Sequence, residues 1–324
     1  MKDSGWRMGT ALFLLGLVFL LIPALASAQE FPTKPINVRS TFGPGTPFDV
    51  AFRLLASRAE KMLGQPFSVI NDTTGGGMIA MNTIAKEKPD GHNLLLGTTT
   101  TFVWVPQFRK VNVKYQDYTP IVQFGKGLIG MVVRAETPYK TLKELVEYAK
   151  KNPGKLSYGA TAKSTPKQVA LEVIGKQEGV DWTFVPFDAD NLSLAALLGG
   201  HIDICSAGTA WIPYVQQGKV RLLATFMEAR SKTFPDVPTA LEQGYRFYDP
   251  AVYLIAGPKG LPPSVVKKLE DAFRKAMEDP EFLQLMKKGE MEVFYRNSAD
   301  LTKLVEQSFG TVGKMIVDFK LPVE

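Results

Sequence analysis

The sequence predicts an α/β protein, because strand-like and helix-like segments alternate along almost the whole chain. Short apolar runs such as residues 36–42 and 93–100 have the composition of buried strands. Amphipathic segments with helical spacing, such as residues 47–63, follow them. Alternation of this kind is typical of βαβ units, so we expect largely parallel sheets.

The individual elements follow from the periodicity and from the turn residues that flank it. Strands are predicted at residues 36–42, 67–70, 93–100, 127–135, 156–160, 183–187, 202–208, 220–226 and 251–257. Helices are predicted at residues 47–63, 78–86, 141–154, from Thr165 onward, at 191–200, around Trp211 and Tyr214, and at 264–278. Helix 141–154 has clear ends, with Thr141 as N-cap and Glu144 as its capping-box partner.

The N-terminus has the features of a secretory signal peptide. Lys2 and Arg7 precede an apolar run at residues 11–26, and Ala26-Ser27-Ala28 supplies a small-residue cleavage site. We expect cleavage after Ala28 and a mature protein in a Gram-negative periplasm. A membrane anchor is the alternative, which the cleavage site and a run shorter than the usual ~20 residues disfavour. The segment contains no cysteine for lipid attachment.

Composition excludes several classes of function. The 324 residues carry a net charge of +6, but no basic run or basic aromatic patch concentrates it, so we expect no nucleic-acid partner. Cys205 is the only cysteine, and its apolar surroundings predict a buried, inert thiol. His92 and His201 lack clustered carboxylates, so we expect no metal site.

The glycine-rich segments do not match nucleotide-binding motifs. The segment GPGTPFD at residues 43–49 lacks the lysine of a P-loop, and TTGGGM at residues 73–78 does not follow the dinucleotide-binding pattern. The chain also lacks the G-x-S-x-G and H-E-x-x-H motifs of hydrolases. We therefore expect no cofactor.

Both glycine-rich segments could instead bind an anion through the backbone. Residues 43–46 and 74–77 each precede a predicted helix. The first amides of a helix have no partner within the helix, and the helix dipole favours negative charge there. Two such N-termini at one cleft could hold a carboxylate. The alternative is that each segment is only a tight turn.

The order of several motifs resembles one family of periplasmic solute-binding proteins. FPTKPINV at residues 31–38, GPGTPFDVAFRLLA at 43–56, PDGHNLL at 89–95 and FPDVPTALEQGY at 234–245 are the clearest. Together they are similar to the receptors of tripartite tricarboxylate transporters, the TctC or Bug family. The resemblance covers nearly the whole mature chain.

This resemblance implies a type II periplasmic-binding-protein fold, with two α/β lobes and a ligand cleft between them. We expect one lobe at residues 29–128 and 251–324, a second at 129–250, and chain crossings near 125–131 and 247–253. It also implies a monomeric receptor and not an enzyme. Such a receptor delivers a small carboxylate to the permease subunits of its transporter. A sensory protein that presents its ligand to a sensor kinase is the alternative.

The resemblance and the loops after the predicted strands together give the candidate ligand-binding residues. In the family, first-lobe loops hold a ligand carboxylate through backbone amides and bound water. The candidates here are Phe42, Gly43, Pro44, Gly45, Thr46, Phe48, Asp49, Thr74, Gly75, Gly76, Gly77, Thr98, Thr99, Thr100, Ala160, Thr161, Thr165, Gln168, Phe187, Asp188, Ser206 and Tyr253.

This chain departs from the family pattern mainly in the second lobe. Ala162 and Ser164 stand where the pattern has glycine, Gln168 where it has histidine, and Asp188-Ala189 where it has Lys-Gly. Loss of the lysine disfavours a ligand with several negative charges. We therefore expect a mono- or dicarboxylate with an aromatic or apolar body, against which Phe48, Phe102, Trp104, Phe187, Trp211 or Tyr253 could stack.

Asp49 has two interpretations that the sequence leaves open. With Thr46 as N-cap and Pro47 at the first helical position, Asp49 could bond back to the Thr46 amide in a variant of the capping box. In the family, by resemblance, the aspartate at this position faces the cleft and contacts the ligand.

Overall fold

A computed structural model describes residues 30–323, which form two β-sheets flanked by helices. The signal peptide predicted at residues 1–28, with its cleavage after Ala28, lies outside these residues. The first sheet has six strands in the order β11-β4-β10-β3-β1-β2. They are β1 (Ile36–Ser40), β2 (Phe67–Asn71), β3 (Asn93–Thr98), β4 (Tyr118–Lys126), β10 (Val252–Pro258) and β11 (Glu292–Arg296). This sheet and its helices are called the first lobe.

The second sheet has five strands in the order β7-β6-β8-β5-β9. They are β5 (Gly130–Arg134), β6 (Ser157–Thr161), β7 (Thr183–Phe187), β8 (Ile204–Ala207) and β9 (Val220–Thr225). This sheet and its helices are called the second lobe.

Ten α-helices surround the sheets within the described residues. They are α1 (Pro47–Leu63), α2 (Thr74–Ile84), α3 (Val105–Phe108), α4 (Leu142–Lys151), α5 (Pro166–Glu178), α6 (Asp190–Leu198), α7 (Ile212–Gln216), α8 (Pro263–Ala276), α9 (Pro280–Lys288) and α10 (Ser298–Asp318). A π-helix at Thr100–Trp104 runs directly into α3. None of the helices in residues 30–323 is both long and apolar enough to cross a membrane.

The chain passes between the sheets twice, from β4 to β5 and from β9 to β10. Because of these crossings, β10 returns antiparallel between β3 and β4, and β5 lies antiparallel between β8 and β9. The expectation of largely parallel sheets was therefore wrong. Parallel pairing holds only for β1 with β2 and β3, and for β6 with β7 and β8, among the described strands. The exact lobe bounds stay a prediction.

Two predicted boundaries also need correction. Helix α2 begins at Thr74, so Gly75, Gly76 and Gly77 lie in its first turn and not in a preceding loop. Helical backbone also starts at Thr100, where a strand had been predicted to continue. Strand β4 had not been predicted at all, because its polar Gln123 and its Pro120 interrupt the apolar pattern.

Two helix starts with capping residues were predicted correctly, whereas the caps of α9 at Asp279 and of α10 at Asn297 were not predicted. Thr46 caps α1 and Thr141 caps α4, each accepting a hydrogen bond from the amide three residues on. The acidic partners, however, reach one residue further back than a capping box requires. Asp49 accepts from the Gly45 amide at 3.0 Å, and Glu144 accepts from the Lys140 amide at 2.6 Å.

Candidate functional site

A cavity of about 350 Å³ lies between the two sheets and is called the cleft. Residues at or just after the carboxyl ends of β1, β3, β6 and β8 contribute to it, which is where α/β sheets place ligands. The cleft is lined by Thr41, Phe42, Thr46, Pro47, Phe48, Thr98, Thr100, Thr101, Gly127, Leu128, Ile129, Thr161, Thr165, Pro166, Lys167, Asp190, Gly208, Thr209, Asp249, Ala251, Tyr253 and Met291.

Aromatic rings form the first-lobe wall of the cleft. The Phe48 ring lies 4.0 Å from Phe42 and 4.5 Å from Tyr253, measured between ring centroids. Phe48 follows the N-cap and Pro47, so the helix start fixes its direction toward β10. Burial raises the pKa of the Tyr253 hydroxyl above its ordinary value, and the carboxylates of Asp190 and Asp249 add to the rise. Tyr253 is therefore a neutral phenol at physiological pH.

Asp49 holds the β1–α1 loop together from the inside. Its side chain is 1% exposed and does not line the cleft. The carboxylate accepts from Asn71 Nδ2 at 2.6 Å, from Arg53 Nε at 2.9 Å and from the Gly45 amide. Burial acts to raise the pKa of Asp49, but these donors outweigh it and leave the pKa below its usual value. The geometry supports the structural interpretation of Asp49, with the Gly45 amide as partner.

The first turn of α2 packs against Thr41, which directly follows β1. A Cβ built on Gly77 would lie 2.7 Å from Thr41 Cβ, so only glycine allows α2 to approach β1 this closely. Thr41 in turn lines the cleft and shares a 3.4 Å hydrogen bond with Thr101. The first turn of α2 therefore lies behind the cleft wall and supports it.

The second-lobe wall carries the charged side chains. Lys167, near the start of α5, contacts both carboxylate oxygens of Asp190 at 2.7 Å. Asp190, at the start of α6, also accepts from the Gly208 amide at 2.8 Å and from Thr161 Oγ1 at 3.3 Å. The Lys167 charge is thus already matched by a carboxylate within the wall.

The loop between β6 and α5 has a strained backbone. Ala162 has φ of 52° and Ser164 has φ of 64°, in the left-handed region that favours glycine. These are two of the positions where the family pattern carries glycine. Gln168 secures the loop, since its Oε1 accepts from the Ser164 amide at 3.1 Å and its Nε2 donates to Tyr158 and Glu172. Gln168 therefore faces the loop and the core and does not line the cleft.

Asp249 is a buried carboxylate at the crossing between β9 and β10. It is 1% exposed and lines the cleft. Oδ1 accepts from Thr99 Oγ1 at 3.2 Å and from the Ala251 amide at 3.3 Å. Oδ2 is buried and has no hydrogen-bond partner within residues 30–323. Burial raises the pKa of Asp249 to about 6, against the lowering effect of those two bonds, the Trp104 indole and the Lys167 charge.

The structure brings part of the predicted residue set together. Eight of the candidates line the cleft: Phe42, Thr46, Phe48, Thr98, Thr100, Thr161, Thr165 and Tyr253. Twelve others do not line it: Gly43, Pro44, Gly45, Asp49, Thr74, Gly77, Thr99, Ala160, Gln168, Phe187, Asp188 and Ser206. Of the remaining aromatic candidates, Phe102, Trp104 and Trp211 are at most 1% exposed and pack in the core.

Several lining residues had not been predicted. Lys167 and Asp190 lie 23 residues apart and meet only because α5 and α6 start at the same end of the second sheet. Asp249 lies in a crossing segment whose path a local pattern does not reveal. A usable signal was present in the sequence, since Thr165-Pro166 marks a helix start and so places Lys167 in its first turn.

A second cavity of about 350 Å³ lies on the outer side of the chain crossings and is called the hinge groove. Its charged lining residues are Lys126, Glu228, Arg230, Lys232, Lys287, Glu290, Glu292 and Arg296. Its cations are largely occupied. Arg230 contacts Glu242, and Lys232 contacts Glu292, both at 2.9 Å, while Lys126 lies 3.6 Å from the centre of the Phe294 ring. The hinge groove has more cations than carboxylates in its lining, but it lies away from the carboxyl ends of the parallel strands, where α/β sheets place ligands.

The reactive side chains of the described residues offer no catalytic thiol. Cys205 is a buried free thiol, with Sγ 3.3 Å from Ser193 Oγ, and burial raises its pKa to about 12. This confirms the prediction of an inert thiol. Among residues 30–323, no group of three or more His, Cys, Asp or Glu side chains could hold a metal ion.

Comparison with known proteins agrees with this architecture. The sequence profile described as "Tripartite tricarboxylate transporter family receptor" matches residues 51–321. The chain belongs to this family. Family members are periplasmic solute-binding proteins and not enzymes, which confirms the family, the fold class and the absence of an enzymatic role predicted from the sequence.

Individual relatives cover nearly the whole chain. The UPF0065 protein in the gbd 5′ region of Cupriavidus necator is 36% identical over 310 residues, which are 93% of this chain and 92% of that protein. A solved structure of the periplasmic binding protein BugD is 27% identical with a TM-score of 0.77, over 91% of this chain and 100% of BugD. MatC from Rhodopseudomonas palustris, solved with bound malate, is 26% identical with a TM-score of 0.76, over 88% of this chain and 100% of MatC.

Proposed function

We propose that this protein captures a small organic carboxylate in the cleft and delivers it to the membrane permease of a tripartite transporter. The observation that carries the proposal is the position of the cleft, because both sheets contribute the ends of their strands to one cavity. A ligand there contacts both lobes at once, so it favours the arrangement in which they close over it. MatC, a relative solved with malate, supports a carboxylate as the ligand class.

The cleft offers hydrogen-bond donors for a carboxylate without an unpaired cation. Eight threonines line it: Thr41, Thr46, Thr98, Thr100, Thr101, Thr161, Thr165 and Thr209. At the start of α5, Thr165 provides no side-chain cap, so the amides of Lys167 and Gln168 lack acceptors within the helix. Hydroxyls and first-turn amides of this kind bind carboxylates through charge-assisted hydrogen bonds.

The cleft suits a ligand with an aromatic or apolar body. Phe42, Phe48 and Tyr253 form one wall, and Leu128, Ile129 and Met291 add apolar surface near the crossings. At about 30 Å³ per water-sized group, 350 Å³ holds roughly a dozen non-hydrogen atoms. A compact mono- or dicarboxylate fits this volume, and the paired charge of Lys167 disfavours a tricarboxylate.

We also propose that the protein acts as a monomer in the periplasm after cleavage behind Ala28. The family assignment and the signal-peptide pattern at residues 1–28 support this location. Deletion of the chain in its host should abolish uptake of the ligand while the permease subunits remain present. Normal uptake together with loss of a ligand-induced response would instead indicate the sensory role.

A thermal-shift screen of the mature chain tests the binding site. Carboxylates of graded size and charge, from benzoate and 3-phenylpropionate to malate and citrate, are compared. A ligand at 100 times its Kd adds about 2.7 kcal/mol of apparent stability. The variant Thr209→Trp fills the cleft and should remove this shift, whereas Thr302→Trp, on the exposed face of α10, should keep it. Stabilisation by citrate but by no apolar carboxylate would contradict the proposed ligand class.

A further inference from the structure

The charged groups of the cleft do not balance. Three side chains of its lining are charged at physiological pH. Lys167 is positive, and Asp190 and Asp249 are negative. Lys167 and Asp190 neutralise one another through two 2.7 Å contacts. Asp249 is left as the uncompensated charge, so the lining as a whole carries one negative charge.

Asp249 is also incompletely bonded. Thr99 Oγ1 and the Ala251 amide both bond Oδ1, and the uncharged Trp104 indole also acts on the carboxylate as a donor. Oδ2 is buried and lacks a partner among the described residues. A buried carboxylate without a counter-charge is unfavourable, because burial removes it from the bulk water that would stabilise its charge.

Protein groups do not supply the missing charge. Lys167 is near enough to lower the pKa of Asp249, but its ammonium is bonded to Asp190 and Thr161. Tyr253, on the neighbouring strand β10, is a neutral phenol and not a cation. A counter-charge for Asp249 would therefore have to come from a ligand in the cleft, which Asp249 lines.

We propose that Asp249 selects a carboxylate ligand that also carries an ammonium group, whose charge the Asp249 carboxylate balances. This inference rests on the proposed function, since it assigns the second pole of the same ligand. The carboxylate of the ligand takes the threonine hydroxyls and first-turn amides, its apolar body lies along Phe42 and Phe48, and its ammonium meets Asp249. A zwitterionic ligand restores the charge balance of the cleft, whereas a plain dicarboxylate makes it worse.

Matched ligand pairs test this assignment. 3-Phenylpropionate and phenylalanine share a carboxylate and an aromatic body but differ in an α-ammonium group. 4-Methylbenzoate and 4-(aminomethyl)benzoate differ in an ammonium at the far end, and hexanoate and 6-aminohexanoate repeat that difference on a flexible chain. Calorimetric titration of the wild-type chain should show, in at least one pair, about tenfold or tighter binding of the ammonium member.

Two variants separate the role of Asp249 from general effects. Asp249→Asn keeps the shape and the acceptor for Thr99 but removes the charge, so the preference for the ammonium member should fall to within about twofold, with the plain carboxylate still bound. Asp188→Asn makes the same change at an exposed position outside the cleft and should keep the preference. The wild-type ratios need no variant, so they decide the matter even if Asp249→Asn folds poorly.

The outcomes are distinguishable from failure of the proposed function. If plain carboxylates bind and no ammonium member binds more tightly, the ammonium proposal is overturned while the receptor proposal stands. A preference that survives in Asp249→Asn also overturns it, because the cation would then be recognised elsewhere. If neither member of any pair binds, nor any carboxylate of the screen, both proposals fail.

Discussion

The β1–α1 loop of the first lobe and the β6–α5 loop of the second lobe face each other across the cleft and are built differently. The first has glycine where its backbone turns left-handed, with φ of 74° at Gly45, and a buried carboxylate satisfies its amide. The second has Ala162 and Ser164 in the same kind of conformation. The first loop is thus locally relaxed, whereas the second stores strain that Gln168 must hold in place. Strain of this kind is characteristic of functional sites.

Removal of the Asp49 charge should have the largest effect on stability. Asp49→Asn turns a buried acceptor of three donors into a group with its own N–H donors, which oppose those of Arg53 or Asn71. We expect a loss of about 2–4 kcal/mol in the free energy of unfolding without ligand. Urea denaturation measures it, with the exposed Asp188→Asn as control, expected to change stability by less than about 0.5 kcal/mol. An unchanged midpoint, with altered ligand preference, would favour the ligand-contact interpretation.

Asp249 lies in the segment that crosses between β9 and β10. Removal of its charge should raise the free energy of unfolding, whereas removal of the Asp49 charge lowers it. The folded-state pKa of Asp249 is raised to about 6, so the folded protein binds the proton more tightly and stability falls as pH rises from about 4 to about 6. Asp249→Asn removes this penalty. The variant should be more stable than wild type by up to about 3 kcal/mol near pH 7, with the gain disappearing near pH 4.

Thermal unfolding of both proteins across this pH range, without ligand, checks the prediction. A gain that does not depend on pH would show that the substitution acts through packing and not through the charge.

Gln168 should matter because it secures the strained loop. Gln168→Leu keeps the volume but leaves the Ser164 amide without its partner, so we expect a loss of about 1–3 kcal/mol. Gln177→Leu is the matched control on the same helix. Gln177 is also hydrogen-bonded, to Gly244 and Arg246, but it is exposed, so water can replace those bonds. Equal losses in the two variants would contradict a special role for Gln168.

Relief of the strain itself should give the smallest effect. Ala162→Gly removes the left-handed penalty at the cost of greater freedom in the unfolded chain, so we expect a net gain of about 0.5–1 kcal/mol. Ala195→Gly, at an exposed position inside α6, should instead lose about 1 kcal/mol. Destabilisation by Ala162→Gly would show that the loop is not strained there.

Features set by local residues could be predicted from the sequence, whereas features set by the path of the whole chain could not. The start of α1 was predicted to the residue because Thr46 and Pro47 are local signals whose meaning does not depend on the rest of the fold. The sequence predicted the Thr46 amide as the partner of Asp49. The observed partner, the Gly45 amide, depends on the backbone conformation of the loop. Strand β4 and the antiparallel return of β10 depended on the chain crossings, which periodicity does not contain.

The charged part of the cleft was the least predictable. Lys167 and Asp190 come together from two helix starts, and Asp249 arrives from a segment without regular structure. Asp188, which the sequence favoured, is exposed and lies outside the cleft, while Asp190, two residues on, lines it. Asp188 precedes the N-cap Ala189, whereas Asp190 is the first residue of α6, and only the folded geometry fixes which of them reaches the cleft.

Binding of a carboxylate between the lobes can be checked with a crystal structure of the mature chain and the tightest carboxylate of the thermal-shift screen. The prediction is a ligand whose carboxylate contacts the first turn of α5 and the cleft threonines, with its body against Phe48. A ligand bound instead in the hinge groove, on Lys126, Lys287 or Arg296, would show that the cleft is not the binding site.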